Sequence, residues 1–377
     1  MNNQIKVINY ILKNKTSTRN TLVEHLGISK MGVSKIVTGL LNKKLVTQKK
    51  EEKSNKPGPK NYILSINTAF FTDILTIYFG LDKIIFSVFD LNGKEKFTDT
   101  IQIDLNKTIL NLTFEKIKEI LRQYNIMIIG IGMNGIVDSK KGIVKISTYY
   151  HWQNLNLKEI IEKEFGITVI IENGVNLIAY SEIENYRNET IVILNIANGV
   201  GSTIVKYDFK KDKVEFETKE IGHIPFDFSE NALICVCGNK GCVETIMADW
   251  RITEKLNKKY NETLTYDEII LKANKNEGQY RTDILEILVP LSSIILWFDT
   301  LIKMDRIIIN GKITFLDNFF WQELNRILKS RILIKNKKIE ISKCQYQENI
   351  ILKGAFKYCI KNLTNTLYFQ NILKESE

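Results

Sequence analysis

Three cysteines and one histidine give the strongest chemical signal in the sequence. Cys235, Cys237 and Cys242 fall within eight residues, and two glycines between them allow a tight turn. His223 lies twelve residues upstream of the first of these cysteines. Three thiolates and one imidazole complete the closed tetrahedral coordination of a structural zinc. We therefore predict a structural Zn²⁺ on these four residues; the alternative is a group of reduced, packed thiols.

Three carboxylates lie close to glycine-containing stretches or to the cysteines. Residues 130–135 and 198–203 could each cradle a phosphate, although glycine at a strand end more often marks a simple turn. Glu172, Glu220 and Glu244 would individually be solvated surface charges. Around a cleft, the three together could accept hydrogen bonds from sugar hydroxyls.

The positive charge of the chain is confined to its beginning. Residues 1–60 hold 13 Lys or Arg and 3 Glu, whereas the remaining residues hold 40 positive and 40 negative side chains, so the excess of +10 lies in the first sixth. A general lysine bias would have spread the excess evenly. Such asymmetry predicts a nucleic-acid-binding segment attached to a neutral body.

The basic segment has the pattern of a winged helix-turn-helix. Three short helices are predicted up to residue 43, with Ser17 or Thr18 starting the second, Gly27 ending it and Ser29 starting the third. Thr21 to Glu24 also has the spacing of a capping box. Residues 45–50 and 61–66 read as two strands around a basic wing.

The third helix would present polar and basic side chains to the major groove, and the wing would approach phosphates. The alternative is a small protein-interaction module with a solvated basic linker. We favour DNA binding because basic charge and a suitable fold coincide. The expected DNA contacts are Arg19, Ser29, Lys30, Met31, Ser34, Lys35, Thr38, Lys56 and Lys60.

The body alternates apolar runs with amphipathic stretches, which indicates an α/β fold. Because it exceeds one comfortable core, we expect a first lobe over 67–187, joined by a returning helix near 350–366, and a second lobe over 188–349, after a DNA-binding domain over 1–66. Five cysteines are too few for a disulfide scaffold, and Cys344 and Cys359 read as buried thiols. No transmembrane span or signal-peptide core is expected, so the cytoplasm is the default location.

Several of these motifs together resemble the ROK family (repressor, open reading frame, kinase). They are residues 220–223, the Cys-x-Cys-Gly-x-x-Gly-Cys-x-Glu pattern ending at Glu244, the segment 171–176 with Trp152 upstream, and Gly354-Ala355. With the winged helix, the resemblance covers nearly the full chain. It implies an actin-like, hexokinase-like two-lobed body, a structural zinc, a homodimer with a tetramer as the alternative, and a sugar effector, xylose or a relative.

The resemblance also implies which residues hold the sugar. Asn173, Glu220, His223 and Glu244 match family positions that hold sugar hydroxyls, and Gly135 and Thr148 match more loosely. His223 would bind zinc through one ring nitrogen and could donate to the ligand from the other.

The family's kinase positions are altered in this chain. Tyr78 stands where family kinases carry the acidic residue of a phosphate-binding turn, and Asp82 replaces the hydroxyl of that turn. Gly174 follows Asn173 where those kinases carry the aspartate base, and glycine cannot act as a base. The later Gly-Gly loop is reduced to residues 310–312. We therefore expect no catalytic residues and no phosphoryl transfer.

The leading hypothesis is a sugar-responsive, DNA-binding repressor of carbohydrate utilisation that acts on double-stranded operator DNA and binds no membrane. The first alternative is an ATP-dependent sugar kinase carrying a DNA-binding domain. The second alternative is a repressor controlled by a protein partner, without sugar binding.

Overall fold

Local capping signals set the helices of the N-terminal segment. The structure is a computed structural model that describes residues 3–50, 62–103, 108–186, 188–208, 213–331, 339–344, 349–366 and 369. The Thr18 hydroxyl accepts a hydrogen bond from the Thr21 amide. Gly27 adopts the left-handed conformation (φ 63°) that ends this helix, and the Ser29 hydroxyl accepts from the Gly32 amide. The elements are α1 (Asn3–Asn14), β1 (Thr16–Ser17), α2 (Arg19–Leu26), α3 (Lys30–Asn42), β2 (Val46–Lys50) and β3 (Tyr62–Ile66).

The three strands of this segment form one antiparallel sheet in the order β1-β3-β2. The helices bury Val7, Ile11, Leu22, Val33 and Val37 between them. Helices α2 and α3 joined by a glycine turn, followed by a two-stranded wing, form a winged helix-turn-helix.

Most strands of the first large sheet are apolar along their length, whereas the edge strand over 95–102 alternates between half-buried and exposed residues. Strands β4, β5 and β6 run antiparallel to one another, and β7 and β11 add in parallel beyond β4, in the order β11-β7-β4-β5-β6. We call this sheet and its helices the first lobe. Its elements are β4 (Asp73–Phe79), β5 (Lys83–Phe89), β6 (Glu95–Gln102), α4 (Ile109–Leu121), β7 (Ile126–Met133), α5 (Leu157–Phe165), β11 (Thr168–Asn173) and α6 (Gly174–Glu182).

A small antiparallel sheet projects between β7 and α5, with the order β10-β9-β8. Its strands are β8 (Ile136–Asp138), β9 (Ile143–Ser147) and β10 (Trp152–Leu155).

The second large sheet repeats the topology of the first. Strands β12, β13 and β14 form an antiparallel meander, and β15 and β16 add in parallel beyond β12, in the order β14-β13-β12-β15-β16. We call this sheet and its helices the second lobe. Its elements are β12 (Thr190–Ile196), β13 (Val200–Asp208), β14 (Lys213–Lys219), α7 (Glu244–Met247), α8 (Asp249–Tyr260), α9 (Tyr266–Asn274), α10 (Tyr280–Leu285), α11 (Leu288–Leu301), β15 (Arg306–Asn310), α12 (Asn318–Arg331) and β16 (Glu340–Lys343).

The last long helix, α13 (Ile350–Asn362), crosses back to the first lobe and contacts α6, β4 and β7. Two sheets of one topology with a helix returning from the second lobe to the first form the actin-like, hexokinase-like body that the family resemblance implies.

The amphipathic pattern of the body predicts helices over 179–186 and 284–302, and the structure differs from the sequence-based assignments at three places. The helix predicted over 179–186 begins at Gly174, because the Asn173 side chain accepts from the Val175 amide and caps it. The helix predicted over 284–302 is divided into α10 and α11 at residues 286–287. Pro290 explains the break, since its ring clashes with the carbonyl four residues earlier. The capping box predicted from Thr21 is wrong, because Thr18 is the cap.

One described helical stretch, Tyr280–Leu301, is long and apolar enough to cross a membrane by length and composition. Half of its most apolar window is buried inside the protein, and Leu291, Ile294 and Ile295 pack in the core of the second lobe.

The close packing of α13 against α6 generates a stability prediction. A methyl group at residue 354 would lie 2.0 Å from the Leu177 carbonyl oxygen, so Gly354→Ala forces the two helices apart. We expect it to lower the free energy of unfolding by about 1–3 kcal/mol, measured from the urea midpoint. The control is Gly39→Ala in α3, where nothing lies within 4 Å and alanine should stabilise by about 0.5–1 kcal/mol. Midpoint shifts of the same sign for both variants would contradict the packing.

Candidate functional site

A short irregular loop brings the predicted metal ligands together. Isolated bridges pair Pro225 with Cys242 and Ile234 with Lys240, which folds the loop back on itself. Gly241 has φ 69°, and a side chain there would collide with the Asp227 carbonyl oxygen. The loop therefore requires a glycine at this turn, as the cysteine spacing suggested.

The four candidate ligands converge on one point. One donor atom from each of His223, Cys235, Cys237 and Cys242 lies within 4.8 Å of the other three. The His223 Nδ1 atom is 3.4 Å from the Cys235 Sγ atom, and the Cys237 and Cys242 Sγ atoms are 3.7 Å apart. None of these thiols is in a disulfide. One imidazole and three thiols at this separation can hold a metal ion.

The three thiols differ in acidity: although burial opposes it, hydrogen bonds from the Asn239 amide and the neighbouring thiols lower the pKa of Cys237. Burial raises the pKa of the Cys235 thiol and raises the pKa of Cys242 to about 12, with further contributions from the neighbouring thiols. Three packed thiols do not all ionise in the absence of a positive charge, whereas a bound metal deprotonates its thiol ligands outright.

Glu244, the first residue of α7, joins the metal cluster to the start of β13. Its Oε2 atom accepts a hydrogen bond from the Val200 amide at 3.0 Å, and its Oε1 atom is 3.9 Å from the Cys235 Sγ atom. The carboxylate thus takes an amide of the 198–203 stretch that could have cradled a phosphate. A phosphate there would meet a negative charge, which does not favour that role.

Glu220 and His223 lie beside this carboxylate, at the two ends of the short 3₁₀ helix Ile221–His223. Burial raises the pKa of the Glu220 carboxyl; His223 opposes the rise and Glu244 adds to it. A Cβ on Gly222 would lie 2.1 Å from the Val200 carbonyl oxygen, so this turn is pressed against β13. Glu220, His223 and Glu244 therefore form one polar group on the second lobe.

Asn173 and Gly135 form the opposing group on the first lobe. The buried Asn173 side chain caps α6 and donates from Nδ2 to the Gly135 carbonyl at 2.7 Å. Val175, two residues later, packs closely against Gly201 of β13. Its Cγ2 atom lies 2.9 Å from the position that a Cβ on Gly201 would occupy. Thr148 lies in the turn after β9, and none of the described hydrogen bonds joins its side chain to the other candidates.

A buried polar chain that sequence reasoning missed crosses between the lobes. The Glu172 carboxylate accepts from the Asn173 amide and from the Asn176 Nδ2 atom. The Asn176 Oδ1 atom in turn accepts from the Thr218 hydroxyl of β14 at 3.1 Å. Glu172 at the end of β11 and Asn176 in the first turn of α6 are close in the sequence, but their partner on a distant strand cannot be read from it.

Two neutral side chains, those of Tyr78 and Asn134, lie beside Gly174. The Tyr78 hydroxyl and the Asn134 side-chain amide are hydrogen bonded at 3.2–3.3 Å. A Cβ on Gly174 would lie 3.5 Å from the Asn134 Oδ1 atom and 3.6 Å from the Tyr78 ring. Burial raises the pKa of Tyr78, so its hydroxyl stays protonated. The space beside Gly174 therefore holds a phenol and an amide rather than a general base.

The candidate reading surface on α3 is open to solvent. Met31 is 84% exposed. Arg19 lies at the start of α2 and donates to the Gln48 side chain of β2 at 3.3 Å. Lys56 and Lys60, the predicted wing contacts, lie outside the described residues. The other predicted contacts are all exposed: Ser29, Lys30, Ser34, Lys35 and Thr38.

Comparisons with known proteins agree with this architecture. The xylose repressor of Caldicellulosiruptor bescii is 24% identical over 96% of this chain and 96% of its own length. A crystal structure of a ROK family transcriptional regulator, a homologue of the E. coli MLC protein, has a TM-score of 0.77 at 20% identity, covering 99% of this chain and 98% of its own. A ROK family glucokinase from Streptomyces griseus, in complex with glucose and AMPPNP, has a TM-score of 0.64 at 18% identity, covering 76% and 98%.

This chain shares its fold with the two solved structures. The ROK family pattern matches residues 74–362, which include both lobes and the returning helix. That match extends over well more than half of the sequence, and the chain belongs to the ROK family.

Proposed function

We propose that this protein is a DNA-binding transcriptional repressor controlled by a sugar, with xylose as the first candidate because a full-length relative carries the name xylose repressor. The observation that carries the proposal is the exposed row of polar and basic residues on α3, in a winged helix attached to a ROK body. A kinase has no use for such a surface, whereas the major groove admits a helix with these side chains.

The proposed division of labour follows the N-terminal sheet and the two large sheets. Residues 1–66 bind operator DNA, residues 67–187 with the returning helix form the first lobe, and residues 188–349 form the second. As a homodimer in the cytoplasm, the protein would place two copies of α3 in successive major grooves, so that palindromic half-sites lie one or more helical turns apart.

The sugar would bind between the two polar groups of the cleft. Carboxylates, an imidazole and an amide are suitable partners for hydroxyl groups, which both donate and accept. Glu220, His223 and Glu244 would contact it from one lobe, and Asn173 with Gly135 from the other. Thr148 is a weaker candidate on the same side.

A structural zinc would hold the second-lobe group in position. Its ligands would be His223, through Nδ1, with Cys235, Cys237 and Cys242. This choice is supported by the 3.4 Å separation of the Nδ1 atom from the Cys235 sulfur. The other ring nitrogen of His223 would remain for the sugar. Zinc supplies no catalytic chemistry in this closed coordination.

The absence of phosphoryl transfer is supported by Gly174 and its neutral neighbours Tyr78 and Asn134. Because the family also contains glucokinases, sugar kinase activity is the second candidate function. Release of ADP in the presence of ATP and a sugar would favour it. Control by a protein partner is the third candidate, and it would be favoured if no sugar binds.

Replacing one reading-helix lysine should weaken DNA binding. Lys35→Ala removes one phosphate or base contact, so we expect about a tenfold loss of affinity for DNA. The slope of log affinity against log salt concentration should fall in magnitude by about one. The measurement is fluorescence anisotropy with a duplex selected from random DNA by the wild-type chain. The control, Lys163→Ala, removes an exposed lysine from the first lobe. Equal affinities for both variants would discredit α3 as the reader.

Replacing a proposed ligand should release the metal. Cys237→Ser leaves two thiolates and an imidazole, and we expect zinc to fall from about one ion per chain to well below half, with a lower unfolding temperature. Elemental analysis of the purified protein measures this. Cys344→Ala is the control, because Cys344 is a buried thiol on the far side of the second sheet, with the Glu182 side chain as its partner. Wild-type protein without stoichiometric zinc would contradict the assignment.

Sugar binding should stabilise the native chain. At about one hundred times the dissociation constant, xylose should raise the free energy of unfolding by about 2.7 kcal/mol, measured as a shift in the unfolding midpoint. Glu220→Gln should reduce this shift, because it removes the charge that accepts from a hydroxyl. If no pentose or hexose shifts the unfolding midpoint of the wild type, control by a protein partner is favoured instead.

A further inference from the structure

The N-terminal segment is attached to the first lobe by a shared hydrophobic core. Val7 and Ile11 of α1 belong to the same buried cluster as Phe71, Ile128 and the C-terminal Leu363. This attachment is reinforced where the Thr364 hydroxyl donates to the Asn9 side chain at 2.9 Å. Because a continuous core resists relative motion, the DNA-binding segment follows the first lobe.

One contact of the same helix reaches the second lobe instead. The Lys13 Nζ atom donates to the Tyr207 hydroxyl at 3.0 Å and lies 5.7 Å from the centre of its ring. Tyr207 is 6% exposed and packs with Val205 and Ile308 of the second sheet. A buried ring with a fixed hydroxyl is a rigid partner, whereas the lysine side chain is flexible.

The strand that carries Tyr207 also carries the edge of the candidate sugar site. β13 begins at Val200, whose amide donates to Glu244, and reaches Tyr207 about 23 Å further along at ~3.3 Å per residue. β13 pairs with β12 from Val200 to Lys206 and with β14 from Ser202 to Asp208. A strand held on both sides transmits a displacement of one end to the other.

A ligand between the lobes would therefore act on this contact. Asn173 belongs to the first lobe, while Glu220 and Glu244 belong to the second, so a ligand that contacts both groups changes the position of β13 relative to the first lobe. The N-terminal segment stays with the first lobe. A displacement of β13 relative to the first lobe would change the contact between Lys13 and Tyr207.

We propose that the Lys13–Tyr207 contact is the latch through which the sugar-binding lobes set the position of the DNA-binding segment. This inference rests on the proposed function and extends it by naming the residues that carry the signal. With the latch closed, α1 is held by both lobes; when a ligand moves the second lobe, α1 is held by the first lobe alone.

The test uses the full-length chain, the duplex selected by the wild type and millimolar D-xylose. Tyr207→Phe removes only the hydroxyl, and Lys13→Met removes the donor. Lys6→Met is the matched control, because Lys6 is an exposed lysine of the same helix and none of the described contacts joins it to the second lobe. Two quantities are measured: the ratio of duplex Kd with and without xylose, and hydrogen exchange of the α1 amides.

We expect the xylose-induced ratio to fall by about threefold or more in Tyr207→Phe and Lys13→Met, since allosteric coupling typically spans 5–150-fold. Exchange of the α1 amides should rise in the same two variants, and Lys6→Met should match the wild type in both measurements.

Two results would overturn the proposal in distinguishable ways. If the wild type and Tyr207→Phe respond equally to xylose, the contact holds the segment without carrying a signal, and the latch alone is wrong. If the wild type binds the duplex but does not respond to xylose or to any other pentose or hexose tested, sugar control itself is wrong, and the latch falls with it.

Discussion

The convergence of His223 and three cysteines is the constraint on which the candidate site depends. Residues 220–244 contain little regular structure, so a metal at this point would replace the packing that an ordinary core provides. Glu220, His223 and Glu244 are all attached to this loop, and Glu244 connects it to β13 through Val200. The geometry of the second-lobe half of the cleft is therefore set by donor atoms within 4.8 Å of one another.

Features encoded by neighbouring residues were predictable from the sequence, and features that depend on distant partners were not. The caps at Thr18 and Ser29 and the cysteine cluster are local, and each is where the residue spacing predicts it. The sequence pattern places the start of α6 too late, because Asn173 is interpreted as a sugar contact and not as a helix cap. The Asn176–Thr218 and Lys13–Tyr207 contacts join residues 42 and 194 positions apart, and no periodicity reveals them.

In the proposed function, a kinase-shaped body with glycine at position 174 binds a sugar and changes shape. Two lobes respond to a ligand that contacts both, and Gly174 beside Tyr78 and Asn134 would leave that ligand chemically unchanged. Binding energy that an enzyme would direct to a transition state is then available to shift the position of the lobes. Such a shift would change the position of the winged helix, since α1 contacts elements of both lobes.

The most direct test is one titration of xylose into the complex of the full-length protein with its selected duplex, with ATP and Mg²⁺ present. Anisotropy reports DNA release and a coupled assay reports ADP in the same sample. The account predicts that DNA affinity changes about 5–150-fold while no ADP forms. Steady ADP production that requires the protein and the sugar, or a protein that ignores duplex DNA at low salt, would contradict it.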